Sequence, residues 1–108
     1  MYAKGVRYER ELLKILHSNG FSVCRAASSG GFLYPLDILA IKNGVILAFE
    51  IKRWKKEPKI DKSRLKLFAE WCERAGAIGF LAWRKKEWLF KRLDDDVWIK
   101  LPDLLKIF

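Results

Sequence analysis

Leu36-Asp37-Ile38-Leu39-Ala40-Ile41-Lys42-Asn43-Gly44-Val45-Ile46-Leu47-Ala48-Phe49-Glu50-Ile51-Lys52 is the stretch on which the fold turns. Asn-Gly between two apolar, β-branched runs specifies a tight hairpin, because a type I′ turn needs positive φ at both central residues. With Asn43 and Gly44 as the loop, Lys42 faces Val45, and the register carried outward sets Asp37 opposite Glu50. Facing side chains share one side of a sheet, with Cβ atoms roughly 4.5–5.5 Å apart. Lys52 follows Glu50 by two residues and therefore projects from that same side. Two carboxylates held so close repel one another and destabilise a sheet. A bound divalent cation removes the conflict, and the result is the arrangement that metal-assisted phosphodiester hydrolysis requires.

Upstream of the hairpin, Val6, Leu13 and Leu16, with Leu12 beside them, recur at helical spacing and predict a helix over 5–18. Glu9 falls in this core-facing stripe, where a charge needs a partner; it either finds one in the site or reaches solvent or Arg10 at the helix end. Asn19-Gly20 ends the helix. A strand is expected over 21–26, with Arg25 on the side of Phe21 and Val23. The small-residue loop over 27–31 either lets a backbone approach a phosphate or is a plain connection.

Downstream, Pro58 marks a loop, and Asp61 or Ser63 is positioned to cap a helix through Arg74. Its buried stripe is expected to be Leu65, Phe68, Ala69, Cys72 and Ala75, with Gly76 as its stop. Strands are expected over 77–83, 88–93 and 97–101, followed by a terminal apolar patch of Leu104, Leu105, Ile107 and Phe108. Asp94-Asp95-Asp96 reads as a turn rather than a metal triad, since consecutive residues on a strand point to opposite sides. No repeat or linker interrupts residues 1–108, which are expected to form a single domain.

Hydrophobic content of 51% beside 32% charged residues describes a globular chain with a true core. No apolar run approaches the ~20 residues of a membrane helix, and Met1-Tyr2-Ala3-Lys4-Gly5 leads into no signal-like apolar segment, so a cytoplasmic location is expected. Cys24 and Cys72 lack zinc-like spacing and are expected to be buried, reduced thiols. His17 is expected at the surface. A net charge of +9 makes a polyanion the natural partner. The charge is concentrated in Lys52, Arg53, Lys55, Lys56, Lys59, Lys62, Arg64 and Lys66, against Glu57 and Asp61. Such a run is a solvated face or a phosphate-binding surface, and its start at the carboxylate hairpin favours the second. A membrane surface is the weaker alternative, because the run has no lipid-inserting apolar face. Five Trp exceed the needs of a small core; most are expected in the core, and some in a dimer surface or stacking platform. The lack of Gln and Thr beside abundant Lys, Glu and Arg suggests a thermophilic source.

The motifs Glu9-Arg10-Glu11-Leu12, Arg25, Ser28-Ser29-Gly30, Pro35-Leu36-Asp37-Ile38 and Glu50-Ile51-Lys52 occur in the order of the archaeal Holliday junction resolvases, which this chain resembles from about Lys4 to about Trp83. These belong to the PD-(D/E)xK nuclease superfamily; one departure is Leu36, which separates Pro35 from Asp37. The resemblance implies a restriction-endonuclease-like α/β fold, a central mixed β-sheet flanked by helices. It also implies Mg²⁺, or Mn²⁺ as a substitute, held by Glu9, Asp37 and Glu50, with Lys52 orienting or helping to deprotonate the attacking water. Ser29 matches a loop serine assigned to catalysis, and Arg10 and Arg25 match phosphate-contacting or structural arginines. Ser28, Gly30, Arg53, Lys55, Lys56, Lys59 and Lys62 are the further expected DNA contacts. The activity implied is a homodimeric endonuclease of DNA recombination and repair that nicks opposing strands of a four-way junction, with no small-molecule cofactor and no membrane partner. The alternatives are a nuclease of this fold acting on another DNA structure and a non-catalytic DNA-binding module. Retention of both carboxylates beside Lys52 argues against the module.

Overall fold

The computed structural model describes residues 2–26 and 33–108, with side chains from Val6 onward in the first helix. The elements in chain order are α1 (Tyr2–Ser18), β1 (Ser22–Arg25), β2 (Ile38–Lys42), β3 (Val45–Lys52), α2 (Lys62–Ala75), β4 (Ala77–Arg84), β5 (Trp88–Arg92), β6 (Trp98–Lys100) and α3 (Leu101–Ile107). The six strands form one sheet in sequence order. Four neighbouring pairs are antiparallel, and β3 and β4 are parallel because α2 carries the chain back across the sheet. This is the mixed α/β sheet expected of the restriction-endonuclease-like fold.

The central hairpin has the expected register: Ile38 faces Phe49 and Lys42 faces Val45. Asn43 and Gly44 take φ of 50° and 81°, the positive values that the turn demands. Alternation along β3 then divides the core. Leu47, Phe49 and Ile51 join Leu12, Leu16, Phe80, Phe90 and Leu104 beneath α1 and α3. Phe49 anchors this layer with ring centroids 5.6 Å from Phe80 and 5.7 Å from Phe90, contacts worth ~0.5–1.5 kcal/mol each beyond their burial. On the other face Ala48 meets Leu36, Phe68 and Cys72 beneath α2. Glu50 and Lys52 share that second face, as Leu39 does, and by alternation Asp37.

Several expectations change. α1 begins at Tyr2 rather than residue 5, and the terminal apolar patch is the helix α3, with Pro102 in its first turn and Leu104 buried. Within the expected stripe of α2, Phe68 and Cys72 are buried but Ala69 is exposed, because the sheet beneath is contacted by a narrow face only. Asp61 stands at the N-cap of α2, yet its carboxylate accepts from the Ser63 hydroxyl rather than from the helix backbone. Gly76 ends the helix at φ 68°, as expected. Cys24 is exposed, not buried, since it lies on the outward side of β1, an edge strand; Cys72 is buried, and both thiols are free. His17 is exposed as expected. Among the tryptophans, Trp83 and Trp88 belong to the core, Trp71 and Trp98 are half-buried, and Trp54 is 46% exposed. No helix among the described residues is long and apolar enough to cross a membrane.

Candidate active site

Asp37 stands where the chain enters β2 and is stitched into the sheet from three sides. Its N–H donates to the Phe49 carbonyl (2.8 Å), its carbonyl accepts from the Ala26 N–H (2.8 Å), and its Oδ2 accepts from the Ile51 N–H (2.7 Å). The backbone ladder therefore steps by one residue at Asp37, and the carboxylate itself supplies the acceptor that the backbone would otherwise offer Ile51. Glu50 lies near the C-terminal end of β3, flanked by Phe49 and Ile51 and paired across the parallel ladder with Leu81. Asp37 is 9% and Glu50 3% exposed. Two acids buried on one face require a cation.

In this state the cation is Arg64, in the first turn of α2. Its Nε donates to Glu50 Oε2 (2.7 Å) and its Nη2 to Oε1 (2.6 Å), a forked pair. The bond to Glu50 raises the Arg64 guanidinium above its ordinary range; burial opposes this, and the charges of Glu50 and Asp37 add to it. The crossover explains the position: a helix linking parallel strands returns over the sheet, and its first turn comes down on the strand that feeds it.

Glu9 reaches the same end of the hairpin from the α1 side of the sheet. Its Oε1 accepts from Arg25 Nε at 2.6 Å, and Arg25 faces Ile38, the residue after Asp37. The acid in the core-facing stripe thus finds Arg25 rather than Arg10. The structure does not gather Glu9 with Asp37 and Glu50: among the described residues no three His, Cys, Asp or Glu side chains form a group that could hold a metal. Lys52 is half-buried, its ammonium 5.3 Å from the centre of the Trp54 ring. Arg10, Arg53, Lys55, Lys56, Lys59 and Lys62 are all exposed. Ser28, Ser29 and Gly30 lie outside the described residues.

The donor set suits a small hard cation. Mg²⁺ prefers oxygen ligands and is commonly bound through one or two carboxylates, with waters and substrate phosphate oxygens completing its shell. Asp37 and Glu50 are the candidates for that pair, and the Arg64 guanidinium on Glu50 shows that positive charge is held there. Sequence reasoning missed Arg64 as a site residue and counted it only within the basic run. Its signal was its place in the first turn of the helix that follows the Glu50 strand.

A mixed sheet carrying two buried acids on one face, with a lysine two residues beyond the second, defines the restriction-endonuclease-like class of nuclease folds. Within that class the sequence is specific: the model of the archaeal Holliday junction resolvase (Hjc) family matches residues 1–97, and the chain belongs to that family. It is 35% identical over 82 residues to the crossover junction endodeoxyribonuclease Hjc of Methanocaldococcus jannaschii, covering 75% of this chain and 59% of that protein. It is 34% identical over 97 residues to the Hjc of Sulfolobus acidocaldarius, covering 85% of this chain and 68% of that one. The solved structure of Archaeoglobus fulgidus Hjc, a Holliday junction resolvase, superposes with a TM-score of 0.80 at 25% identity, over 97% of this chain and 98% of that one. The chain spans about three-fifths of the length of the Methanocaldococcus relative and of the Sulfurisphaera tokodaii Hjc.

Proposed function

We propose that this chain is a structure-selective DNA endonuclease that resolves four-way junctions by Mg²⁺-dependent hydrolysis, with Mn²⁺ able to substitute. The reading rests on Asp37 and Glu50, buried on one face of the β2–β3 hairpin with Lys52 two residues beyond. Asp37 and Glu50 are the proposed ligands. Glu9 serves as a third only when its pair with Arg25 opens, and Arg25 is assigned to a phosphate contact. A cation bound here neutralises charge on the scissile phosphate and lowers the pKa of a coordinated water. Lys52 orients the nucleophile and stabilises charge that develops on the phosphoryl oxygens. Asp37 is held rigid by the Ile51 N–H, so its carboxylate is positioned before substrate arrives. Ser29 is assigned to catalysis, Arg10 to a phosphate contact, and Ser28, Gly30, Arg53, Lys55, Lys56, Lys59 and Lys62 to the DNA backbone.

Phosphate contacts position a protein without reading sequence, so selectivity for a junction comes from shape. A homodimer supplies two sites for paired nicks in opposing strands. Leu33, Tyr34 and Leu67, exposed near the half-buried Trp71, form an apolar surface that supports self-association. The deciding experiment incubates the protein with labelled four-way junction, flap and linear duplex, in Mg²⁺ or in EDTA. Paired, Mg²⁺-dependent nicks confined to the junction are expected. Cleavage of all three substrates would indicate a general nuclease of this fold, and binding without cleavage a non-catalytic module.

A further inference from the structure

Beyond the carboxyl ends of the parallel strands β3 and β4, three distant segments bring cations to a single phenol. The guanidinium carbons of Arg7, Arg53 and Arg84 lie 6.0, 6.0 and 5.7 Å from the centre of the Tyr8 ring. Lys85 and Lys86, in the β4–β5 turn, line the same notch, and Trp54 forms its wall toward Lys52. One acid enters the cluster. Glu11 Oε1 accepts from Arg84 Nε (2.8 Å) and from the Trp88 indole N–H (2.7 Å) and is thereby engaged. Nearby Glu87 stands 4.0 Å from Lys100. Among the described residues no ion pair uses Arg7, Arg53, Lys85 or Lys86.

Like charges gathered on a folded surface raise its free energy unless an anion neutralises them. This cluster is also built rather than scattered. Tyr8 is half-buried against the α1 core layer, and the Trp83 indole N–H donates to the Trp54 carbonyl at 2.7 Å, which fixes the wall of the notch. The position is specific too, because Lys52, whose ammonium rests over Trp54, joins the notch to the carboxylate pair. A strand whose phosphate lay at Asp37 and Glu50 would run past Lys52 and Trp54 into the notch.

We infer that the notch between Arg7, Arg53 and the Lys85–Lys86 turn is a second anchoring site for the DNA backbone, which takes phosphates neighbouring the one to be cleaved. Guanidinium and ammonium groups bind the phosphate oxygens, and the exposed Trp54 ring offers a face to the adjoining sugar or base. The inference rests on the junction-binding reading above and adds Arg7, Arg84, Lys85 and Lys86, which come from outside the basic run.

Fluorescence anisotropy on a labelled four-way junction, in EDTA so that nothing is cleaved, tests it across a salt series. Lys85→Ala/Lys86→Ala changes only exposed turn residues. Each lost phosphate contact lowers the slope of log affinity against log salt by about 0.9. The double variant should therefore lose about two units of slope, and its fall in affinity between 50 and 200 mM salt should shrink roughly tenfold relative to the unaltered protein. Lys85→Arg/Lys86→Arg should keep the full slope. Arg74→Ala/Lys106→Ala, which removes the same charge from the C-terminal ends of α2 and α3, should leave the slope within half a unit of it. An unchanged slope in Lys85→Ala/Lys86→Ala, while the unaltered protein binds the junction, overturns the notch alone. Failure of the unaltered protein to bind the junction overturns the junction reading and the notch with it.

Discussion

Replacing Arg64 with Ala should weaken the metal-free protein and strengthen its response to metal, an unusual sign for a change beside an active site. Arg64 is the cation paired with buried Glu50, and its fork closes both carboxylate oxygens. Removing one partner of a buried pair costs about 3–5 kcal/mol, because the other charge is left uncompensated. The Arg64 side chain keeps 25% of its surface against 4% for Glu50, so solvent screens part of the loss and about 3 kcal/mol is expected. At roughly 4 °C per kcal/mol for a chain of this size, the midpoint of thermal unfolding in EDTA should fall by about 12 °C. Saturating Mg²⁺ or Mn²⁺ then no longer competes with a resident guanidinium. It should restore most of that fall in the variant and raise the unaltered protein by much less. Differential scanning calorimetry of both proteins, each in EDTA and in metal, reads all four midpoints. Equal midpoints in EDTA, or an equal gain from metal, would refute the reasoning. Arg64→Met with Glu50→Leu gives an internal check, since removing both charges should recover stability that either single change loses.

Asp37→Asn and Glu50→Gln should each abolish cleavage while junction binding, followed by anisotropy in EDTA, stays level or tightens, because each removes a negative charge from beside the phosphate. Lys52→Ala should lose turnover with the fold intact by circular dichroism, and the salt slope of binding should fall by only about one unit; normal turnover would return Lys52 to a solvated role. Burial pushes the Cys72 thiol up to about 11, so iodoacetamide at pH 8 should alkylate the exposed Cys24 and spare Cys72 in the native protein, as read by peptide mass spectrometry. A thiol raised on folding contributes stability that is complete below its ordinary value near 9 and is lost as pH climbs through about 11. Cys72→Ala should therefore show a shallower loss of stability than the unaltered protein over that alkaline window, measured by urea unfolding.

The hairpin was legible because its determinants are local. Asn43-Gly44 sets the turn, and a strand period of two then fixes the side taken by Ala48, Glu50 and Lys52 without reference to the rest of the chain. Glu9 was legible as a misfit, an acid in an apolar stripe, but its partner was not: Arg25 reaches it only once α1 lies against β1. Arg64 was hidden for the same reason, since its meeting with Glu50 depends on the return of α2 over β3. The α3 helix was read as a mere patch because seven residues span two turns and give periodicity little to work on. Cys24 was placed inside because an apolar neighbourhood in sequence does not reveal that β1 is an edge, where one side of the strand has no covering layer. The cationic notch is the extreme case, as its residues come from α1, the chain after β3 and the β4–β5 turn, and no local pattern joins them.

The parallel pairing of β3 with β4 orders events during folding. The β2–β3 hairpin closes through a two-residue turn, a contact that forms on a scale of about 1–10 μs. Ile46 meets Ala77 only after the chain has traversed all of α2, and such non-local closures are slow because loop entropy is lost before contacts are gained. Asp37 and Glu50 therefore come together in the early step, and Glu50 meets Arg64 in the later one. Between the two steps the nascent protein carries a pair of mutually repelling acids on an open sheet face. Cations in the surrounding solution can act on that transient face before the helix covers it, so the chemistry of the finished site begins as a constraint on the order in which the chain is assembled.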